Sequence, residues 1–261
     1  RYNDFYIAQL TELLSNYGEI TEVWFDGANG EGPNGKKQTY DWPRIWGTVR
    51  RLQPNAVIFS DAGPDVRWIG NERGSAGDPN WSTVDPSIVT APGVERPEIG
   101  RSLQHGDRDG SVWRPGETDV SIRPGWFHHA AEDARVKSVD DLMGIWFSSV
   151  GRNSKLLLNV PPARDGLLAE ADVKRLREFR AARDALFGRE VTGLSWTWRA
   201  TADRQLVGVA ELPRATTIGV VRLGDLIERG QQVARYSVSG DPGDGTWREL
   251  SRGETIGYCK L

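Results

Sequence analysis

Cys259 is the only cysteine among 261 residues, so the chain can build neither an internal disulfide nor a multi-thiolate metal site. Histidine is scarce too: His105, His128 and His129 are the only three, and none has the spacing of a zinc site. No apolar run approaches the length needed to span a bilayer. The 33 basic and 36 acidic side chains leave a formal charge of -3 with no basic cluster, which argues against a nucleic-acid partner. The stretch GEGPNGKK at 30–37 lacks the Ser or Thr that closes a phosphate-binding loop, and GxSxG is missing as well.

Tryptophan, by contrast, is plentiful: 11 Trp stand against 7 Phe and 6 Tyr, several beside glycine, proline or charged residues instead of inside apolar runs. Indole faces stack on the apolar faces of sugar rings while the N–H keeps a polar handle, so the composition points to a carbohydrate partner.

The periodicity predicts a helix over 3–17, with Tyr6, Leu10, Leu13, Leu14 and Tyr17 on one face and Gly18 as its stop. A buried strand over 20–25 follows, then a helix carrying Trp42, Ile45, Trp46, Val49 and Leu52, then a strand over 56–59 that ends at Asp61. Helix, strand, polar loop, repeated, is the order of parallel β/α units. The stretch 63–114 reads as one long ordered loop holding Trp68, Trp81 and Trp113. Beyond it, strands are expected over 120–122 and 155–160 and helices over 139–150 and 169–187. After Gly188 the pattern changes to strand-like segments at 195–199, 205–211, 216–223, 232–239 and 246–250, the spacing of an all-β sandwich. These readings divide the chain into 1–188 and 189–261. With Arg1 in place of Met and a strand-like 255–261 with no closing turn, the chain is expected to be a piece of a longer protein.

The most informative stretch is 19–35, where the strand runs into Asp26 and then Gly27, Gly30, Gly32 and Gly35. In β/α barrels the loops at the C-terminal strand ends build the active site, so Asp26 sits where a catalytic carboxylate belongs; an aspartate there also serves as an ordinary turn or N-cap residue. Retaining glycoside hydrolysis needs two carboxyl groups, one as nucleophile and one as acid. Candidates for the second are Asp61, Asp65, Glu72, Asp78, Glu117 and Asp119, and Glu72 stands out because Arg67 and Trp68 precede it in one tight run. An exposed loop glutamate is the plainer reading of the same residue.

Four ordered motifs, VWFDGANGEGPNG (23–35), SDAGPDVRWIGNERG (60–74), GETDVSIRPGWFHH (116–129) and SVGRNSKLLLNVPPARDGLL (149–168), resemble the α-L-fucosidases of glycoside hydrolase family 29. The resemblance runs over nearly the whole chain and looks closest to the branch that prefers α-1,3- or α-1,4-linked fucose. It implies an α/β fold: the second half of a (β/α)8-like, TIM-type catalytic barrel, followed by the start of a β-sandwich. It further implies Asp26 as nucleophile and Glu72 as general acid/base, with Glu117 as the competing acid/base, and Arg67, Trp68, Trp24 and Trp126 near the sugar. The substrate implied is a fucosylated oligosaccharide or glycan, with no metal or organic cofactor, and secretion or a periplasmic location is expected by analogy. The resemblance further implies that the family's histidines that hold the fucose hydroxyls would lie upstream of Arg1, so the 261-residue chain by itself is expected to be poorly stable and nearly inactive. A non-catalytic glycan-binding protein on the same scaffold and a retaining hydrolase for another sugar are the alternatives.

Overall fold

Helix α1 (Tyr2–Asn16) buries Leu10 and Leu14, but Leu13 and Tyr17 of its expected apolar face are 54% and 71% exposed. Strand β1 (Glu22–Trp24) follows, then helix α2 (Trp42–Leu52), whose start is fixed by Asp41 accepting from the Arg44 backbone N–H at 3.2 Å. Leu10, Leu14, Phe25, Trp42, Ile45, Val49 and Ile58 form one apolar cluster, so α1 meets the rest of the chain along only a narrow stripe. The computed structural model describes residues 1–27, 29, 32, 34–94, 96–203, 205–212 and 214–261; Gly30 of the glycine-rich loop lies outside them.

Strands β2 (Val57–Ser60) and β3 (Val66–Trp68) come next, followed by β4 (Thr83–Val84), α3 (Ile99–His105) and β5 (Val112–Trp113). The stretch expected as one long loop therefore holds a strand of the main sheet, a helix and the small antiparallel pair β4–β5. Strand β6 (Gly116–Ser121), helix α4 (Val139–Ser148), strand β7 (Ser154–Asn159) and helix α5 (Glu170–Phe187) complete this part. Helix α4 opens on a reciprocal cap in which Ser138 and Asp141 satisfy each other's backbone N–H groups.

The main sheet has five strands in the order β1-β2-β3-β6-β7, every neighbouring pair parallel. It is curled. Four strand spacings of about 4.8 Å would set the first and last strands of a flat sheet roughly 19 Å apart. Yet Lys155 on β7 makes a direct ion pair with Glu22 on β1. Only a sheet bent into a half-barrel brings those side chains together.

Alternation along each strand then sorts the side chains into two sets. Ile58, Val120, Leu156 and Leu158 pack outward into the helix-facing clusters with Phe25, Ile45, Leu142, Ile145 and Phe179. Trp24 and Phe59, register partners on β1 and β2, stack at 4.6 Å between ring centres with 9° between planes. Glu22, Glu117 and Lys155 line the concave side, as does Asp119, two residues beyond Glu117 toward the C-terminal rim.

Beyond α5 lie two separate two-stranded antiparallel sheets, β8 (Trp196–Ala200) with β9 (Leu206–Ala210) and β10 (Tyr236–Gly240) with β11 (Arg248–Gly253). The expected strand at 216–223 reduces, among the described residues, to a single bridge, Leu223 to Lys260. The end of the chain turns back onto the loops of the half-barrel: Asn153 N–H donates to the Cys259 carbonyl, Leu261 N–H to that of Gly151, and Gln231 to that of Asn80. Among the described residues, no helix is long and apolar enough to cross a membrane.

Candidate active site

The C-terminal rim of the curled sheet gathers carboxylates. Asp26 follows β1 by two residues, Asp61 follows β2 directly, Glu72 lies four residues beyond β3, and Asp119 stands near the end of β6. Asp119 is 3% exposed, and burial pushes its carboxyl up from the ordinary range. The Trp68 N–H and its own backbone N–H oppose that shift, and the charges of Glu72 and Asp26 add to it. Asp119 therefore lies within electrostatic reach of both carboxylates singled out by the sequence. Asp61 is likewise pushed up by burial, held back by the Gly93 backbone N–H at 2.9 Å, and raised again by Asp26.

Asp26 and Glu72 are both exposed, so both carboxyls are open to a ligand from solvent. The Glu72 Oε2 accepts from the indole Nε1 of Trp126 at 3.2 Å. Trp126 is itself held from behind: Asn159, the last residue of β7, donates to its carbonyl at 3.1 Å and to Ser121 Oγ at 3.0 Å, and Ser121 donates to the Gly125 carbonyl at 2.7 Å. Arg123 fastens the base of the same turn. Its fully buried guanidinium meets the fully buried Asp172 of α5 at 2.9 Å and Asp133 at 2.8 Å. Trp68, at the end of β3, donates its N–H to Asp119 Oδ1 at 2.7 Å, while its ring packs against the cluster of Ala62, Val89, Ile99 and Leu103.

Two of the sequence candidates stand elsewhere. Arg67 alternates with Trp68 on β3, so its side chain leaves the concave face; it is 1% exposed and donates to the carbonyls of Leu103 and Arg114 and to Asn80 Oδ1. With its guanidinium consumed by the scaffold, it braces the loops around α3 and does not reach the rim. Glu117 does face the concave side, but one layer below the rim and fully buried, where its Oε2 pairs with Lys155 at 2.8 Å. Burial, more than the opposing pull of Lys155, pushes it up to about 7. Of the other carboxylates considered, Asp65 is bound by Arg50 and the Ile58 N–H, and Asp78 by Lys260.

Asn159 is the rim residue that the sequence does not point to, whereas Asp61 and Asp119 are among its candidate carboxylates but without an assigned role. The available signal is the spacing of Glu117 and Asp119, which places both on one face of any strand through them. Among the described residues, no group of three His, Cys, Asp or Glu side chains is arranged to hold a metal ion.

The alpha-L-fucosidase family pattern matches residues 1–181. Alpha-L-fucosidase 1 of Arabidopsis thaliana is 38% identical over 288 residues, covering 100% of this chain and 55% of its own length. Among solved structures, a Bacteroides ovatus protein assigned as an alpha-L-fucosidase is 44% identical with a TM-score of 0.83, over 100% of this chain and 46% of its own. A Ruminococcus gnavus GH29 fucosidase, solved in complex with fucose, is 30% identical with a TM-score of 0.85, over 100% of this chain and 59% of its own. The chain thus spans about half the length of the curated relatives it matches. Motifs, half-barrel and rim carboxylates agree with that match, and the chain belongs to the alpha-L-fucosidase family.

Proposed function

We propose that the full-length protein carrying this chain is a retaining exo-glycosidase that removes terminal α-L-fucose, in α-1,3 or α-1,4 linkage, from glycans. Asp26 attacks the anomeric carbon while Glu72 gives its proton to the departing glycosidic oxygen. Glu72 then takes a proton from the water that opens the fucosyl ester on Asp26. The chemistry needs two carboxyl groups and water and calls for no cofactor. Trp24, Trp68 and Trp126 supply ring surface beside the sugar. The observation that carries this reading is that Asp26, two residues past β1, and Glu72, four past β3, both follow the C-terminal ends of strands in the one curled parallel sheet. Work on extracellular glycans, after secretion or in a periplasm, belongs to the same proposal and rests on analogy with glycan-degrading enzymes.

The test is hydrolysis of a nitrophenyl α-L-fucoside by the full-length protein and its Asp26→Ala variant. A loss of about 10³-fold or more, with azide restoring turnover and yielding a fucosyl azide of inverted configuration, is the expected result. Unchanged turnover in the variant would move the nucleophile elsewhere. A parent that binds fucose without hydrolysing any fucoside would instead support the glycan-binding reading, and turnover only of a different glycoside would redirect the substrate. Comparing branched α-1,3- and α-1,4-fucosylated trisaccharides with an α-1,2-linked disaccharide tests the linkage.

A further inference from the structure

Asp119 is neither of the two carboxylates that perform the proposed reaction, yet it is buried at the rim on β6, directly beside β3, the strand that leads to Glu72. Its β6 position is fixed by pairing on both sides: Trp68 of β3 lies opposite Glu117, and Leu157 of β7 lies opposite Asp119 itself. The 2.7 Å bond from Trp68 Nε1 therefore runs diagonally across two adjacent strands, from the end of one to a carboxylate one step nearer the rim. A charged acceptor makes it stronger than a bond between neutral groups.

The bond has a consequence for what Trp68 can offer a ligand. Its sole donor is spent, and part of its ring is covered by the Ala62, Val89, Ile99 and Leu103 cluster, while the side chain as a whole stays only half-buried. What remains for a sugar is ring surface held at one angle. An indole has two side-chain torsions, and without the bond to Asp119 the N–H would be free to turn toward water or toward a sugar hydroxyl.

We propose that Asp119 is a positioning residue that locks the Trp68 indole, so that Trp68 meets the bound sugar with its ring face and not with its N–H. This rests on the fucosidase reading above, in which Trp68 stands beside the substrate. Asp119 acts through Trp68 alone, so its removal weakens substrate binding more than it slows the chemical step.

The experiment uses the full-length protein, with Asp119→Asn, Asp119→Ala, Trp68→Phe and the Asp119→Ala/Trp68→Phe double variant assayed on the aryl fucoside beside Asp26→Ala. Asparagine keeps an oxygen in the acceptor position, so Asp119→Asn is expected to hold KM within about threefold. Asp119→Ala is expected to raise KM about tenfold with a smaller change in kcat, the size of one lost charge-assisted hydrogen bond. Trp68→Phe keeps a ring and deletes the donor, and is expected to match Asp119→Ala. The double variant is expected to be no worse than either single one, because both changes break the same bond. Additive losses would overturn the proposal, as would a wild-type KM in Asp119→Ala or an Asp119→Asn variant as impaired as the alanine. If Asp119→Ala does not fold, the asparagine and phenylalanine variants still decide the matter: a raised KM in Trp68→Phe beside a near-parental one in Asp119→Asn supports the lock, and any other pairing overturns it. An Asp26→Ala variant with full turnover would instead sink the fucosidase assignment, which keeps the two failures apart.

Discussion

Lys155 Nζ lies 2.8 Å from Glu117 Oε2 and at the same time pairs with Glu22, so the ammonium on the fifth strand of the curled sheet serves one carboxylate on the first strand and one on the fourth. Burial, above the other contributions, raises Glu117 from its ordinary 4.5 to about 7. Lys155 is also raised, because the two carboxylates together outweigh its desolvation.

The sign of the pH dependence follows. Between about pH 4.5 and 7 folded Glu117 keeps a proton that the unfolded chain has lost, so its contribution to stability is full below that window and falls as pH rises through it. Lys155 remains charged throughout this window, since its folded value lies above 10.5. Deleting the ammonium in Lys155→Met removes the cation beside both carboxylates, and the harm grows as Glu117 ionises. We expect the variant to lose about 2 kcal/mol at pH 8 and clearly less at pH 5. This is below the 3–5 kcal/mol of a fully buried pair because Lys155 is half exposed. Urea melts of parent and variant at the two pH values check it, and an equal loss at both would show that the charge pairing is not the cause.

The Arg123–Asp172 pair has no such solvent screening, since both side chains are fully buried. Asp172→Ala leaves the buried guanidinium with only the half-exposed Asp133 as counter-charge, and a loss of about 3 kcal/mol, the low end of the range for a broken buried pair, is expected by chemical denaturation. Arg123→Met with Asp172→Leu removes both charges and is expected to recover most of that loss.

Much of this architecture is legible in the sequence where apolar residues recur at a helical period or run together in a short buried strand. The pattern predicts helix α5 over 169–187 and the helix spans Glu170–Phe187; it predicts β7 over 155–160 and the strand spans Ser154–Asn159. The period fails where the concave face is polar. Around strand β6 only 120–122 reads as a strand, because Glu117 and Asp119 look like loop residues until Lys155 and Trp68 are known to satisfy them. Strand β3 is three residues long with an arginine at its centre, and Arg67 is buried only because three separate acceptors wait for it. Those partners are 13 to 47 positions away, beyond any local pattern. The strand-end positions of Asp26 and Asp61 are readable from local sequence, whereas the bonds that hold Trp68 and Trp126 are not.

Gly27 illustrates how tightly the rim is built around Asp26. A Cβ at this position would overlap Asp61 Oδ2 and stand 2.9 Å from the Gly93 nitrogen, the two atoms that bond to each other at 2.9 Å. Gly27→Ala must therefore push Asp61 or the Gly93 loop aside, directly next to the proposed nucleophile. We expect kcat on an aryl fucoside to fall about tenfold or more, since misplacement of a reacting group by about 1 Å costs up to 10². Global stability should drop by no more than about 2 kcal/mol, because the contact is at a loop. An alanine variant with parental kcat would show that the Asp61–Gly93 bond has no part in placing Asp26.

Asn159 offers the corresponding test for Glu72. Its carboxamide holds the Trp126 carbonyl, and the Trp126 indole holds Glu72, so the side chain at the end of β7 is two bonds removed from the proposed acid/base. Asn159→Ala leaves the strand in place but frees the turn that presents the indole. Because the proposed proton transfer depends on where Glu72 points, kcat should fall about tenfold while KM changes little. The same substitution made in a Trp126→Phe background should do no further harm, since the indole N–H that carries its influence is already gone. A full tenfold additional loss in that background would mean that Asn159 acts on the reaction by another route, and Trp126 would then have to be read as a turn aromatic with no hold on the acid/base.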